Sequence, residues 1–152
     1  MAREMKESGI DRVGVVPFNW QIGKIKHVAR LYTGNSIKDE EKELYEDPVL
    51  AVPYISSKDI DVVFNTADYE NGMYVKREDS SFKIAPEGST LMCIEGGSAG
   101  RKKTHLTQEV AFVNKLCCFN PDRIEGSYLF YWLCSPNFED EFAQHISGLI
   151  AC

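Results

Sequence analysis

Apolar residues occur along this chain in short blocks or in alternation with polar ones, and only in the last third do they take on helical spacing. Residues 52–55, 82–84, 90–94 and 109–119 are apolar or alternating runs rich in β-branched and aromatic side chains, with Gly or Pro close by. That pattern predicts strands buried on at least one face. Turn-rich segments at 16–20, 33–36 and 95–103 combine Gly or Pro with Ser, Thr or Asn and punctuate the runs. The acidic stretch 39–45 suits one or two helical turns. In 124–134, Ile124, Tyr128, Leu129, Phe130, Tyr131, Trp132 and Leu133 suit a buried helix, and Pro136 interrupts it before a second helical segment at 138–146. Together these elements predict an α+β fold. The expected arrangement is a single compact domain over residues 1–148, with a mixed or mostly antiparallel twisted sheet, helices in the C-terminal third and a short tail at 149–152. No internal repeat is visible.

A chain of 152 residues with 43% hydrophobic and 11% aromatic content is one domain's worth, and it can bury roughly two-thirds of its unfolded surface. Disorder is excluded by that composition. The formal net charge of −6 rules out a general coat of nucleic-acid-binding charge, so any such surface must be local. Charge is uneven enough to permit one: 39–47 is net −5, whereas 100–115 and 1–30 are each net +3. The longest apolar stretch, 128–134, falls far short of the ~18 residues a spanning helix needs, and the N-terminus is charged. No membrane partner is expected, and the location expected is cytoplasmic. Cys93, Cys117, Cys118, Cys134 and Cys152 form an odd set without CxxC spacing, and His27, His105 and His145 are scattered. Reduced, mostly buried thiols and no metal site are the expectation.

Familiar catalytic patterns fail on spacing. The run Glu95-Gly96-Gly97-Ser98-Ala99-Gly100-Arg101-Lys102-Lys103-Thr104 invites a phosphate-loop reading, but Gly100 is followed by Arg and Glu95 stands where a Walker loop has its first glycine. A dinucleotide fingerprint fails at the same residue. Asn120-Pro121-Asp122 lacks the second proline and the aromatic of an amino-methyltransferase tetrapeptide. Glu40 and Lys42 lie inside the acidic run, better read as a solvated face than as part of a nuclease centre. No triad follows from three scattered histidines, and the Cys117-Cys118 pair suits core packing. Neither catalytic residues nor a cofactor are expected. A small-molecule or phosphate-binding enzyme domain using loop 96–103 is the alternative, and a purely interacting or regulatory piece is a third reading.

Several segments, in order, resemble the target-recognition domain of the specificity subunit of type I restriction–modification systems. They are Lys6-Glu7-Ser8-Gly9-Ile10 leading to Gly14 and Pro17-Phe18-Asn19-Trp20, then Tyr32-Thr33-Gly34-Asn35-Ser36, then Pro53-Tyr54-Ile55-Ser56-Ser57-Lys58-Asp59-Ile60-Asp61. Glu95 to Lys102 followed by Asn114-Lys115-Leu116-Cys117 completes the set. Arg12 departs from the family, where an aromatic is common, and Ser56-Ser57 stands where Ala-Thr is frequent. The resemblance implies a non-catalytic module that reads one half of a split duplex DNA target, with methyltransferase and restriction subunits as partners. It also implies that the chain stops near Gly148-Leu149-Ile150, where a long spacer helix would follow, as an excised fragment or a truncated product.

On that resemblance the candidate DNA-binding residues lie in three loops. Loop 96–103 offers Gly97 and Ser98 for close backbone approach, Arg101 for a bidentate guanine or a phosphate, and Lys102 and Lys103 for phosphates. Ser57, Lys58 and Asp59 form the second, where Asp59 either accepts from cytosine or caps a turn, and Tyr54 beside them either stacks or packs. Asn35 and Ser36 are the third. Asn71-Gly72 is expected as a tight turn.

Overall fold

The computed structural model describes residues 3–9 and 13–144. Its strands are β1 (Met5–Glu7), β2 (Val15–Pro17), β3 (Ala29–Thr33), β4 (Val52–Ile55), β5 (Ile60–Asp61), β6 (Thr66–Ala67), β7 (Tyr74–Val75), β8 (Ile84–Ala85), β9 (Thr90–Cys93), β10 (Lys103–His105), β11 (Val110–Phe112) and β12 (Leu116–Pro121). The helices are α1 (Ile25–Val28), α2 (Gly126–Leu133) and α3 (Pro136–Gln144), with 3-10 turns at Asp39–Tyr45, Pro48–Leu50 and Ser57–Asp59.

Two four-stranded sheets carry the fold, in the orders β10-β9-β12-β3 and β7-β4-β11-β8, with two-stranded hairpins β1-β2 and β5-β6 beside them. Every described pairing is antiparallel except β4 with β11. The first sheet is covered on both faces, which explains why its central strands are mostly apolar. Leu91 and Cys93 of β9 and Cys118 of β12 pack with Ile55, Val110 and Phe112 of the second sheet. Their neighbours Met92, Cys117 and Phe119 pack on the opposite face, against Leu129, Leu133 and Phe142 of the helices. The period-2 alternation thus sorts side chains between two cores, giving three layers.

The α+β expectation holds, with the main helices near the C-terminus and mostly antiparallel strands. Some boundaries differ for identifiable reasons. The run 109–119, expected as a single strand, is two strands in different sheets, broken where the Leu116 N–H donates to the Val113 carbonyl at 3.1 Å. Phe82 is not in a strand; it serves the core through edge-on contacts with Tyr45 and Tyr54. Segment 16–20 begins in strand β2, and α1 adds one helical turn that the pattern did not announce. Pro136 opens α3 rather than preceding it, a position where its missing N–H is harmless. The expected helical residues 145–146, the tail 149–152, His145, Cys152 and the motif residues Ile10 and Arg12 lie outside the described residues.

Candidate nucleic-acid interface

The three candidate loops follow the C-terminal ends of β3, β4 and β9, and the strand pairing brings those ends together. Phe112 at the end of β11 pairs with Ile55 at the end of β4, and its carbonyl accepts the Asn35 N–H at 2.9 Å just beyond β3. The Ile94 N–H, just past β9, donates to the Lys115 carbonyl beyond β11.

Loop 94–102 closes the β9-β10 hairpin. Gly96 and Gly100 have φ of 80° and 75°, a region that favours glycine, and a Cβ on Gly100 would lie 2.4 Å from the Phe142 ring of α3. The N–H groups of Ala99, Gly100, Arg101 and Lys102 all donate to carbonyls of the loop or its root strand. Those amides are therefore not aimed outward as a phosphate nest requires. Gly97 and Arg101 are exposed and Ser98 is half-buried.

Lys102 and Lys103 part company. Lys102 Nζ donates to the Ser57 carbonyl at 2.9 Å, tying the glycine loop to the Ser57–Asp59 turn. Lys103, expected at a phosphate, is instead the first residue of β10 with its side chain 1% exposed. Its Nζ donates to the Leu133 carbonyl at the end of α2 (2.5 Å) and to Glu139 Oε1 of α3 (3.1 Å). The period-2 alternation of the strand turns it inward, away from the loop surface.

Asp59 is occupied as a cap. Its Oδ2 accepts from the Ser56 N–H and hydroxyl, both at 2.9 Å, and from Asn71 Nδ2 at 2.7 Å, which also reaches the Tyr54 carbonyl. Of its two readings the structure takes the turn cap. Tyr54 is buried and packs, its hydroxyl donating to the Asn35 carbonyl at 2.6 Å, and burial pushes its pKa up to about 12. Asn35 is likewise architectural, since its Oδ1 accepts the Lys83 N–H at 2.8 Å. Gly34 explains why this crossing is so close: an added Cβ would sit 2.0 Å from the Phe112 carbonyl oxygen. Ser36 and Lys58 face solvent.

A feature the motifs did not flag adjoins the joined loops. An open cavity of about 600 Å³ lies between Lys58, Lys102 and the β5-β6 hairpin. The tip of that hairpin holds Val63 and Phe64, each 74% exposed. Asp61 Oδ1 accepts from both tip amides, at 2.8 and 3.0 Å, so the bend is held while its apolar side chains point outward. The signal was present in sequence as an apolar triplet between Asp61 and Asn65. Among the described residues no group of three or more His, Cys, Asp or Glu could hold a metal ion.

No family model matches the chain. Over 157 positions, 95% of its length, it is 27% identical to the type I restriction enzyme MjaIX specificity subunit of Methanocaldococcus jannaschii. It superposes on the HsdS subunit from Thermoanaerobacter tengcongensis with a TM-score of 0.66 over 92% of its length, at 16% identity. In fold, the chain matches a domain-sized third of this HsdS subunit. A second solved chain, from work on the complex assembly and conformational transition of the type I R-M system, matches over 85% at a TM-score of 0.64 and 16% identity. The chain spans about a third of the length of these specificity subunits, 32% of each of the first two. Sequence and fold thus both meet the motif-based resemblance. The motif residues Gly34, Asn35 and Asp59 turn out to shape the domain's loops from beneath.

Proposed function

We propose that this chain is a DNA target-recognition module that reads one half of a bipartite duplex target for a type I restriction–modification complex, without catalysis of its own. Its partners in that role are duplex DNA and the methyltransferase and restriction subunits, in the cytoplasm. The observation that carries the reading is the Lys102 to Ser57 hydrogen bond, which makes two loops of the family-like motifs a single surface. Around it Arg101, Lys58, Ser36, Gly97 and Ser98 are exposed or half-buried, and none of them serves the core. Loops of this kind deliver Arg and Lys to phosphates and base edges.

Mobility shift of the chain on random duplex at low salt tests it. Binding should be weak and fall roughly tenfold to a hundredfold between about 50 and 200 mM salt, as two or three phosphate contacts dictate. The double variant Arg101→Ala/Lys102→Ala should lose well over tenfold in affinity while costing about 1 kcal/mol or less in stability. Retention of full affinity in that folded variant would sink the assignment of the surface. Labelled S-adenosylmethionine should transfer nothing to the duplex; transfer by the pure chain would overturn the non-catalytic reading.

A further inference from the structure

Outside the three candidate loops lies a strip that begins in the first family-like motif, at Phe18-Asn19-Trp20, and runs through α1 into the start of β3. Residues 13–38 contain Lys24, Lys26, Arg30 and Lys38 and not one Asp or Glu, on a chain whose net charge is −6. Within that stretch every residue from Phe18 to Lys24 is exposed. Phe18 is 61%, Trp20 47% and Ile22 45% exposed, side chains that folding ordinarily buries. The bend beneath them is defined: the Trp20 N–H donates to the Pro17 carbonyl at 3.0 Å and the Phe18 N–H to the Glu4 carbonyl at 2.8 Å. Lys6 Nζ lies 5.8 Å from the centre of the Phe18 ring. Lys24, Lys26 and Arg30 make no ion pair among the described residues. The neighbouring elements add charges of both signs: Asp122 and Arg123, whose N–H groups both donate to the Val28 carbonyl, and Glu4, Lys6 and Glu7 on or beside β1.

Strand register separates the Arg30 end of this strip from the glycine loop. Thr33 pairs with Cys117, which pairs with Met92 beside the glycine loop, whereas Ala29 pairs with Pro121 at the far end. β3 and β10 are also opposite edges of the sheet. Four residues along and three strands across amount to roughly 20 Å.

We infer that the Phe18–Arg30 strip is a second nucleic-acid contact, one that holds unpaired nucleotides by stacking bases on Trp20 and Phe18 while Lys24, Lys26 and Arg30 face the phosphates. Exposed aromatic side chains on a segment whose cations make no ion pair, with Arg30 over the Tyr32 ring at 5.3 Å and no carboxylate in the segment itself, match the chemistry of single-stranded nucleic acid. A duplex keeps its base faces stacked and offers these rings little. The inference does not depend on the recognition loops, because Phe18, Trp20, Lys24, Lys26 and Arg30 belong to none of them.

Anisotropy of a labelled oligothymidylate of about fifteen nucleotides tests it on the full chain, with Trp20 fluorescence as a second signal in a Trp132→Phe background. Binding at about 50 mM salt with quenching of Trp20 is expected. Trp20→Ala should weaken it about fivefold or more, and Lys24→Ala/Lys26→Ala/Arg30→Ala about tenfold or more with a shallower salt dependence. Circular dichroism should be unchanged in each. The folded Arg101→Ala/Lys102→Ala variant should bind oligothymidylate within about twofold of the parent, by contrast with its loss on duplex. No oligothymidylate binding, or binding indifferent to Trp20, overturns the inference and leaves the duplex reading standing. Quenching by vesicles of equal phosphatidylglycerol and phosphatidylcholine, with none by oligothymidylate, overturns it in favour of a lipid surface. Equal loss in the Arg101/Lys102 variant overturns the separateness of the two surfaces.

Discussion

Where β3, β4 and β9 end, each loop is tied down at its root: Gly34 and Asn35 against Phe112, Asp59 by Ser56 and Asn71, Gly100 against Phe142, and Lys102 to Ser57. At the other end of the same sheet, residues 18–24 are exposed throughout and make few backbone hydrogen bonds. The difference separates two ways of meeting a ligand. Anchored loops fix a few polar groups in register, as sequence reading requires. An open aromatic strip tolerates many partners, because every base has a face to stack.

The strongest way to break this contrast is to remove an anchor, and Gly34→Ala should have the largest effect. Its Cβ would meet backbone, the Phe112 carbonyl oxygen at 2.0 Å, so neither side chain nor rotamer can relieve the clash. A loss of roughly 3 kcal/mol or more is expected by urea denaturation. Little change would mean that β3 does not cross β11 as closely as described. Alanine at Gly23, where nothing lies within 4 Å of the added Cβ, supplies the control from the loose end.

Lys103 gives the next effect. Lys103→Ala removes a buried ammonium from the Leu133 carbonyl and from Glu139 and leaves a void, for an expected loss of about 3 kcal/mol. Lys103→Met keeps the buried stem and abandons Glu139, which is half exposed, to water, so its loss should be smaller. Thermal melts of the two variants check the order. If Lys103 were a phosphate contact, both would melt like the parent and bind duplex less well.

These residues also mark how far the sequence was legible. Strands of continuous apolar character, such as Thr90–Cys93 and Val52–Ile55, were readable because burial on both faces leaves no polar alternation to mislead. The break at 113–115 was not, because both neighbouring strands are buried and the chain changes sheets without a Gly or Pro to mark it. Short strands such as β5, β6 and β7 carry too few residues to show a period. For the candidate site, residue type marked the loops, but the structural role of each residue within them was invisible. Lys102 and Lys103 are adjacent and alike in type, and only the start of β10 at Lys103 turns the second of them inward. Asp59 and Asn71 lie twelve residues apart and meet only after folding.

The smallest effect concerns a point at the far end that is not loose. Glu125 caps α2, accepting from the Ser127 hydroxyl and from the Ser127 and Tyr128 N–H groups, the latter two at 3.3 Å. The Ser127 hydroxyl first, and these amides with it, hold the carboxyl below its ordinary 4.5. A carboxyl whose folded pKa is depressed contributes stability that is present above the unfolded value and lost as pH falls through the folded one. Glu125→Gln should therefore melt slightly below the parent at neutral pH, with the gap closing as the pH drops below 4.5. Because the side chain is fully exposed, the gap should also shrink in high salt. A difference that persists unchanged in acid would mean that the cap acts by shape alone. The start of α2 would then owe nothing to the carboxylate's charge, and the contrast between the two ends of the sheet would sharpen.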